Sequence, residues 1–297
     1  MYLVFDIGGT FVKHAWMTAD GEMLADGKFE TPYDTPQDLV NKMADLFFQN
    51  SNQIKGIAVS CPGTIDVDTG VVYYGGSLRY LHNYNLAKAL QEKCQVPVSI
   101  ENDGKSAALA EWWLGSVKGY KNAAVFILGT GLGGGLIIND KLHRGKDLQA
   151  GEFSLLMDCV NQETNKASVA GTSGSAINMI NQIAERKQFD KNDGETAFRY
   201  INDGDKEATT IFNHYCKRIA FWILNIQYII DPEIIAIGGG ISVQPIVLKG
   251  INQAIEALKQ ANPFHQAKPH VVTCAFQNAA NLYGALYHHL NQHNQVS

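Results

Sequence analysis

The stretch Tyr2-Leu3-Val4-Phe5-Asp6-Ile7-Gly8-Gly9-Thr10 opens the chain with a short apolar run that ends on a carboxylate and a glycine pair. Tyr2 to Phe5 predicts a strand, Gly8-Gly9-Thr10 a sharp turn, and Phe11 to Met17 a second strand, so the element is a hairpin. Its turn can do chemistry. Two glycines bring the backbone close to a ligand and aim successive N–H groups at an anion. The Thr10 hydroxyl and the Lys13 ammonium add donors, and Asp6 adds a carboxylate suited to hydrated Mg²⁺. The alternative is an ordinary glycine hairpin turn. Further pieces of the same device elsewhere in the chain decide between the two.

The chain has 297 residues, 45% hydrophobic and 18% charged, enough for one large domain or two of middling size with a substantial core. Its net charge of -5 gives no basic field for nucleic acid or an anionic membrane. Five scattered cysteines, an odd count without paired spacing, predict free thiols in a reducing compartment. Asp6 interrupts the first apolar run too early for a signal peptide. Phe221 to Ile230 carries Asn225 and Gln227 and is too short to span a bilayer. The expectation is a cytoplasmic protein that is not a membrane protein.

Further along, Leu24 to Phe29 predicts a strand, and Thr35-Pro36 starts a helix whose apolar face is Leu39, Met43, Leu46 and Phe47. Strands are expected at Ile54 to Ser60 and Val96 to Ile100, with a helix at Leu86 to Cys94 between them. A helix is expected over Lys105 to Leu114. The pattern then restarts, with a strand at Ala123 to Leu128, a glycine loop at Gly129 to Gly135 and a strand at Leu136 to Ile138. Lys206 to Ile230 predicts a long helix stopped by Asp231-Pro232. Ile234 to Ile237 is a strand running into Gly238-Gly239-Gly240, followed by a helix over Pro245 to Gln260. A strand at His270 to Cys274 and a helix at Ala279 to Leu290 close the chain. Alternating strands and helices indicate an α/β fold. The strand, glycine turn, strand arrangement occurs twice, which predicts two related domains with a boundary near Gly115 to Lys121.

Gly129-Thr130-Gly131-Leu132-Gly133-Gly134-Gly135 leaves the backbone bare, and a phosphate chain is the usual reason for such a loop. A dinucleotide fold is disfavoured because the loop leads into a strand and not a helix. Gly238-Gly239-Gly240 could seat an adenine and ribose, or serve only as a tight strand-to-helix turn. Asn102-Asp103 stands between a strand and a helix. Asp103 can take a proton from a substrate hydroxyl, or merely cap the helix. Glu152, after Gly151, offers a carboxylate to a sugar diol.

With these residues together, the chain resembles the ROK family of bacterial sugar kinases, within the actin-like (ribonuclease H-like, hexokinase-like) ATPase fold. Asp6 to Thr10 resembles the first phosphate motif and Gly129 to Gly135 the second. Glu101-Asn102-Asp103 with Ala107-Ala108-Leu109-Ala110-Glu111 resembles the catalytic segment, Ala150-Gly151-Glu152 the sugar-contacting segment, and Ile237 to Ser242 the adenosine motif. The resemblance implies two actin-like α/β domains, residues 1–117 and 118–280, with a cleft between them and the last helix, about 281–297, returning to the first. It implies Asp103 as the base for a sugar 6-hydroxyl, and Gly63, Asn83, Asn102 and Glu152 as sugar contacts. ATP contacts are implied at Gly8, Gly9, Thr10, Lys13, Gly129, Thr130, Gly131, Gly133, Gly238 and Gly239, with Asp6 holding Mg²⁺ through water. A homodimer is the family expectation.

Two departures from the family pattern matter. Many members carry a histidine three residues after the glutamate and then a cysteine-rich zinc segment. Here that position is Leu155, and Asp158 to Ser175 holds only Cys159, so no structural zinc is expected. Gly151-Glu152-Phe153-Ser154 resembles the zinc-free branch that includes β-glucoside kinases. Lys13 also sits two places beyond the usual lysine position. His265, His270, His288 and His289 show no ligand spacing with the cysteines, and Trp112-Trp113 read as packing residues. The rivals are a kinase for N-acetylmannosamine, glucose or fructose, a sugar-responsive regulator, and a non-catalytic nucleotide- or sugar-binding module. A regulator of this family carries an N-terminal helix-turn-helix, for which a phosphate motif at residue 6 leaves no room.

Overall fold

The computed structural model of the protein describes residues 1–294. The chain forms two compact units. One holds Met1–Leu114, Leu142–Ala150 and the chain from Ala279 on, and the other holds Gly115–Lys141 and Gly151–Asn278. Leu142–Ala150, which the sequence reading put in the second domain, therefore belongs to the first unit.

In the first unit, β1 (Tyr2–Ile7) and β2 (Phe11–Met17) form the expected hairpin, in register from Tyr2 opposite Met17 to Ile7 opposite Val12. Next come β3 (Met23–Glu30), α1 (Pro36–Phe48) and β4 (Ile57–Cys61). A small antiparallel sheet follows, made of β5 (Thr64–Asp66), β6 (Val71–Tyr73) and β7 (Tyr84–Asn85). The unit continues with α2 (Leu86–Cys94), β8 (Val98–Asn102) and α3 (Asp103–Trp113). The main sheet has the order β3-β2-β1-β4-β8, with β4 parallel to β1 and β8 parallel to β4. Thr35 caps α1 by accepting from the Asp38 amide at 3.2 Å, with Pro36 at the first turn.

In the second unit, β9 (Ala123–Leu128) and β10 (Leu132–Ile137) form another antiparallel hairpin. A hairpin of β11 (Met157–Val160) and β12 (Ala167–Val169) follows. Then come α4 (Ala170–Ser173), α5 (Ala176–Lys187), α6 (Gly194–Asn202), α7 (Lys206–Ile230), β13 (Ile234–Gly238), α8 (Pro245–Ala261) and β14 (Val271–Thr273). The sheet order is β10-β9-β13-β14, with β13 parallel to both β9 and β14. Each unit thus starts with a hairpin whose first strand takes a parallel neighbour on its other side. The core lies where the sheet meets α5, α7 and α8, around Phe126, Ile183, Phe212, Trp222, Ile235 and Ile251.

Two expectations are corrected. The glycine loop is shorter than Gly129 to Gly135, because Gly133, Gly134 and Gly135 lie inside β10, opposite Ile127, Phe126 and Val125. Bare backbone at Gly134 makes room for Phe153, whose ring stacks on Phe126 at 4.3 Å between centroids; a Cβ there would sit 2.6 Å from the Phe153 ring. Helix α3 begins at Asp103, two residues early, because Asn102 caps it. The elements from β11 to α6 had no counterpart in the sequence reading.

Helix α9 (Ala280–Gln292) returns to the first unit. Residues 295–297 of the expected last helix lie outside the described residues. Leu282, Ala285, Leu286 and Leu290 cover the Tyr2, Val4 and Ala58 face of the sheet. At the α3 crossing the helices are nearly in backbone contact, and a Cβ on Gly284 would overlap the Ser106 carbonyl. In a free helix, Gly to Ala stabilises by about 1 kcal/mol. Here the sign reverses, since overpacking costs about 1–3 kcal/mol. Gly284→Ala is expected to lower the thermal unfolding midpoint by roughly 2–10 °C, read by circular dichroism.

Candidate active site

In the first unit the hairpin turn is held from behind. Thr31 donates its hydroxyl to the Gly8 carbonyl at 2.7 Å, Tyr33 donates to the Gly9 carbonyl, and the Thr31 amide donates to the Thr10 carbonyl at 3.0 Å. Three consecutive carbonyls are engaged, which fixes the planes of the intervening peptides. A Cβ on Gly9 would meet the Ser77 hydroxyl at 2.8 Å, so a side chain there would force that hydroxyl to turn away.

Asp6, at the end of β1, is 7% exposed. Ser60 and Asn281 both donate to its Oδ1, at 3.1 and 2.9 Å, and Lys13 stands 3.8 Å from Oδ2. Lys13 is opposite Asp6 in the hairpin register, which brings its ammonium toward that carboxylate. Burial pushes the Asp6 carboxyl above the ordinary range, and Asn281, Lys13 and Ser60 offset this only in part. A desolvated carboxylate with one oxygen saturated by neutral donors fits a cation or its water at the other oxygen.

Asn102 and Asp103 stand where β8 passes into α3. The Asn102 side chain caps the helix, its Oδ1 accepting from the Lys105 amide at 3.0 Å. Its Nδ2 donates to the Gly63 carbonyl at 2.8 Å and to Asp103 Oδ1 at 3.0 Å. Asp103 Oδ1 also accepts from the Gly104 amide at 2.8 Å. The capping role is therefore Asn102's, and Asp103 is not the cap. Gly63 sits at φ +104, and a Cβ there would meet the Tyr73 carbonyl at 2.8 Å. Asn83 is exposed, at φ +59, with its amide donating to the Val72 carbonyl at 2.8 Å. Cys61, opposite Asn102 in the sheet, is pushed well up by burial and by the negative charges of Asp103 and Asp6, so it is an inert thiol.

In the second unit the two glycine turns are neighbours. The Gly129 amide donates to the Gly131 carbonyl at 3.0 Å, and Thr130 at the tip is exposed. The first residue of α5, Ala176, donates its amide to the Gly129 carbonyl at 3.0 Å. Gly239, at φ +92, lies against the end of β9, where a Cβ would overlap the Leu128 carbonyl. A Cβ on Gly238 would meet Ile127 Cδ1 at 2.8 Å. Ser242 then ties the Gly239 carbonyl at 2.8 Å. Gly133 lies within β10, and Glu152 follows Gly151 (φ +78) into a single 3₁₀ turn over Phe153–Leu155. Among the described residues, no three His, Cys, Asp or Glu side chains are grouped to hold a metal ion. A cavity of about 540 Å³ between α5 and α7, bordered by Ser175, Asn178, Gln182, His214 and Tyr215, contains none of the residues singled out in the sequence.

Sequence reasoning missed Ser60, Asn281, Thr31 and Tyr33, which hold Asp6 and the turn. It also assigned no role to Glu101, Lys105 or Arg144 beside Asn102. Asn281 is 275 positions from Asp6, and no spacing rule links them. Glu101 adjoins the Asn-Asp pair and could have been singled out on that ground.

Two actin-like (ribonuclease H-like) α/β domains, each carrying a glycine turn at the head of its central hairpin, define an ATPase fold. A family model described as the ROK family matches residues 2–291, and the chain belongs to that family. It is 30% identical over 298 residues to a beta-glucoside kinase of Listeria monocytogenes, covering 98% of each. It superimposes with a TM-score of 0.85 and 32% identity on a ROK family protein from Streptococcus pneumoniae in complex with sucrose, covering 99% of each. A ROK family glucokinase from Streptomyces griseus in complex with glucose and AMPPNP shares the fold, with a TM-score of 0.81 at 21% identity, over 96% of this chain and 97% of that one.

The raised Asp6 pKa carries a sign. The folded protein binds that proton more tightly than the unfolded chain does. The cost of ionised Asp6 is therefore absent well below the ordinary aspartate value, about 3.9, and present in full above its raised value. Asp6→Asn is expected to unfold at higher urea than wild type at pH 8, with the gap closing as pH falls below about 4, while activity is lost.

Proposed function

We propose that the protein is an ATP-dependent sugar kinase that phosphorylates the 6-hydroxyl of a hexose or β-glucoside. The observation that carries this is the division of labour at the β8–α3 junction. Asn102 caps the helix, so capping does not account for a carboxylate at Asp103.

In this reading Asp103 accepts the proton of the sugar 6-hydroxyl while that oxygen bonds to the γ-phosphorus of ATP and the bond to the departing ADP oxygen breaks. Asn102, Gly63 and Asn83 contact the sugar, and Glu152 accepts from its hydroxyls. Gly8, Gly9, Thr10, Gly129, Thr130 and Gly131 present amides and hydroxyls to the phosphates, with Lys13 and Gly133 beside them and Gly238 and Gly239 toward the nucleoside. Asp6 would hold Mg²⁺ through water, and the bound cation supplies positive charge to the phosphoryl oxygens. No zinc takes part. The beta-glucoside kinase relative and the sucrose held by the Streptococcus pneumoniae protein support a site that accepts a glycoside. ATP as the donor fits a cytoplasmic enzyme, and a homodimer belongs to the same reading.

The test is ADP release with Mg-ATP over glucose, fructose, mannose, N-acetylmannosamine, N-acetylglucosamine, cellobiose and an aryl β-glucoside. Turnover is expected on a glucoside or hexose. Asp103→Asn keeps the acceptor for Gly104 and Asn102, so it should fold normally and lose about a hundred- to ten-thousand-fold in kcat. Wild-type turnover in that variant would place the base elsewhere. No turnover on any sugar would favour a regulatory or binding role.

A further inference from the structure

Glu101, just before Asn102-Asp103, and Lys105, two positions after the pair, are charged and buried, and the reaction just described uses neither. Glu101 is 0% exposed at the end of β8. Its Oε1 accepts from the Asn102 amide at 2.8 Å. Its Oε2 accepts both from Arg144 Nε, at 2.9 Å, and from Arg144 Nη2. The carboxylate therefore bridges a guanidinium and the peptide that leads into the Asn-Asp pair. His288 from α9 closes the other side, its Nδ1 3.4 Å from Arg144 Nη2. Lys105, also buried, donates its Nζ to the Leu148 carbonyl at 3.3 Å, while its amide donates to the Asn102 cap.

Arg144 and Leu148 belong to one short segment, Leu142–Ala150, which lies in the first unit although the chain on both sides of it belongs to the second. The segment closes on itself, with the Ala150 amide donating to the Arg144 carbonyl at 3.0 Å. It has a third tie, as Gln149 donates to the Thr64 hydroxyl at 3.1 Å. Thr64 follows Gly63, whose carbonyl holds Asn102 Nδ2. The three ties thus meet the chain at residues 101, 105 and 64, surrounding Asn102 and Asp103.

A buried ion pair is a poor way to gain stability, because desolvating both ions offsets much of their attraction. It is a good way to hold a geometry, since a forked guanidinium accepts few orientations. We propose that Leu142–Ala150 is a strap that orients the Asn102-Asp103 pair, with Glu101 and Arg144 as positioning residues for phosphoryl transfer. They touch no reacting atom. They set the direction of the peptide from which the base projects, and with it the alignment that proton removal requires. This rests on the kinase reading.

Steady-state kinetics test it, on the sugar the wild type turns over best, with Glu101→Gln, Arg144→Lys and the double variant. Glu101→Gln keeps an oxygen for the Asn102 amide but loses the charge, and Arg144→Lys keeps the charge but loses the fork. Each is expected to lower kcat at least tenfold with KM for ATP within about twofold of wild type, and with circular dichroism unchanged. Because the two act as one device, the double variant should be no worse than the poorer single. Folded variants with wild-type kcat, or losses that multiply in the double, would overturn the strap and leave the pair a structural element. If Glu101→Gln fails to fold, Arg144→Lys decides alone, since the arginine side chain is 25% exposed and lysine keeps a positive charge beside Glu101. A wild type without turnover on any sugar instead sinks the kinase reading, and the strap with it.

Discussion

Strand β1 is covered on both faces, and the first unit is arranged by that constraint. Its alternate side chains separate as a strand requires. Leu3, Phe5 and Ile7 join the core beneath α1 and α2, while Tyr2 and Val4 join the patch covered by α9. A strand so enclosed takes its hydrogen bonds from neighbours on both edges, β2 on one and β4 on the other. The polar residue at its end, Asp6, is consequently desolvated and must find its partners from distant segments. Ser60 comes from β4 and Asn281 from α9, the same two elements that enclose the strand.

The second unit repeats the plan with different means of close approach. Its central hairpin is narrowed by glycine at Gly134, where Phe153 lies, and at Gly239, where the next loop abuts Leu128. These contacts bring the turn after β9 and the turn after β13 side by side. Two bare backbone loops become one surface, with the start of α5 tied to it through Gly129. The same economy of volume lets α9 cross α3 at Gly284 in the first unit. Larger side chains at these points would separate the elements and the groups they carry.

Several charged groups of the interior gather beside the glycine turn and the Asn-Asp pair. Asp6, Glu101 and Lys105 are buried, and each makes named contacts at or beside the glycine turn or the Asn-Asp pair. A hydrophobic replacement would cost less to bury. An aspartate stands at position 6 although burial disfavours its charge, which sets it apart from residues chosen for packing alone. Cys61, in the same neighbourhood, shows the opposite case of a thiol neutralised by its surroundings.

By itself, the sequence determined the elements whose signals are local. The first hairpin was legible in Tyr2 to Met17, α1 in Thr35-Pro36 and its apolar spacing, and α7 in the run from Lys206 to Asp231-Pro232. Period and capping are properties of neighbouring residues, so they survive without knowledge of the fold. The phosphate-type turns and the Asn102-Asp103 pair were legible for the same reason. Tertiary structure alone decided the rest. That Gly133 to Gly135 form a strand follows from their pairing with Val125 to Ile127, with Phe153 packed against Gly134. That Asn102 caps α3 and Asp103 does not depends on how β8 ends against Gly63. That Leu142–Ala150 lies with the first unit goes with ties to distant residues, Arg144 to Glu101, Leu148 to Lys105 and Gln149 to Thr64. Such contacts arise from packing in three dimensions, and no periodicity along the chain encodes them.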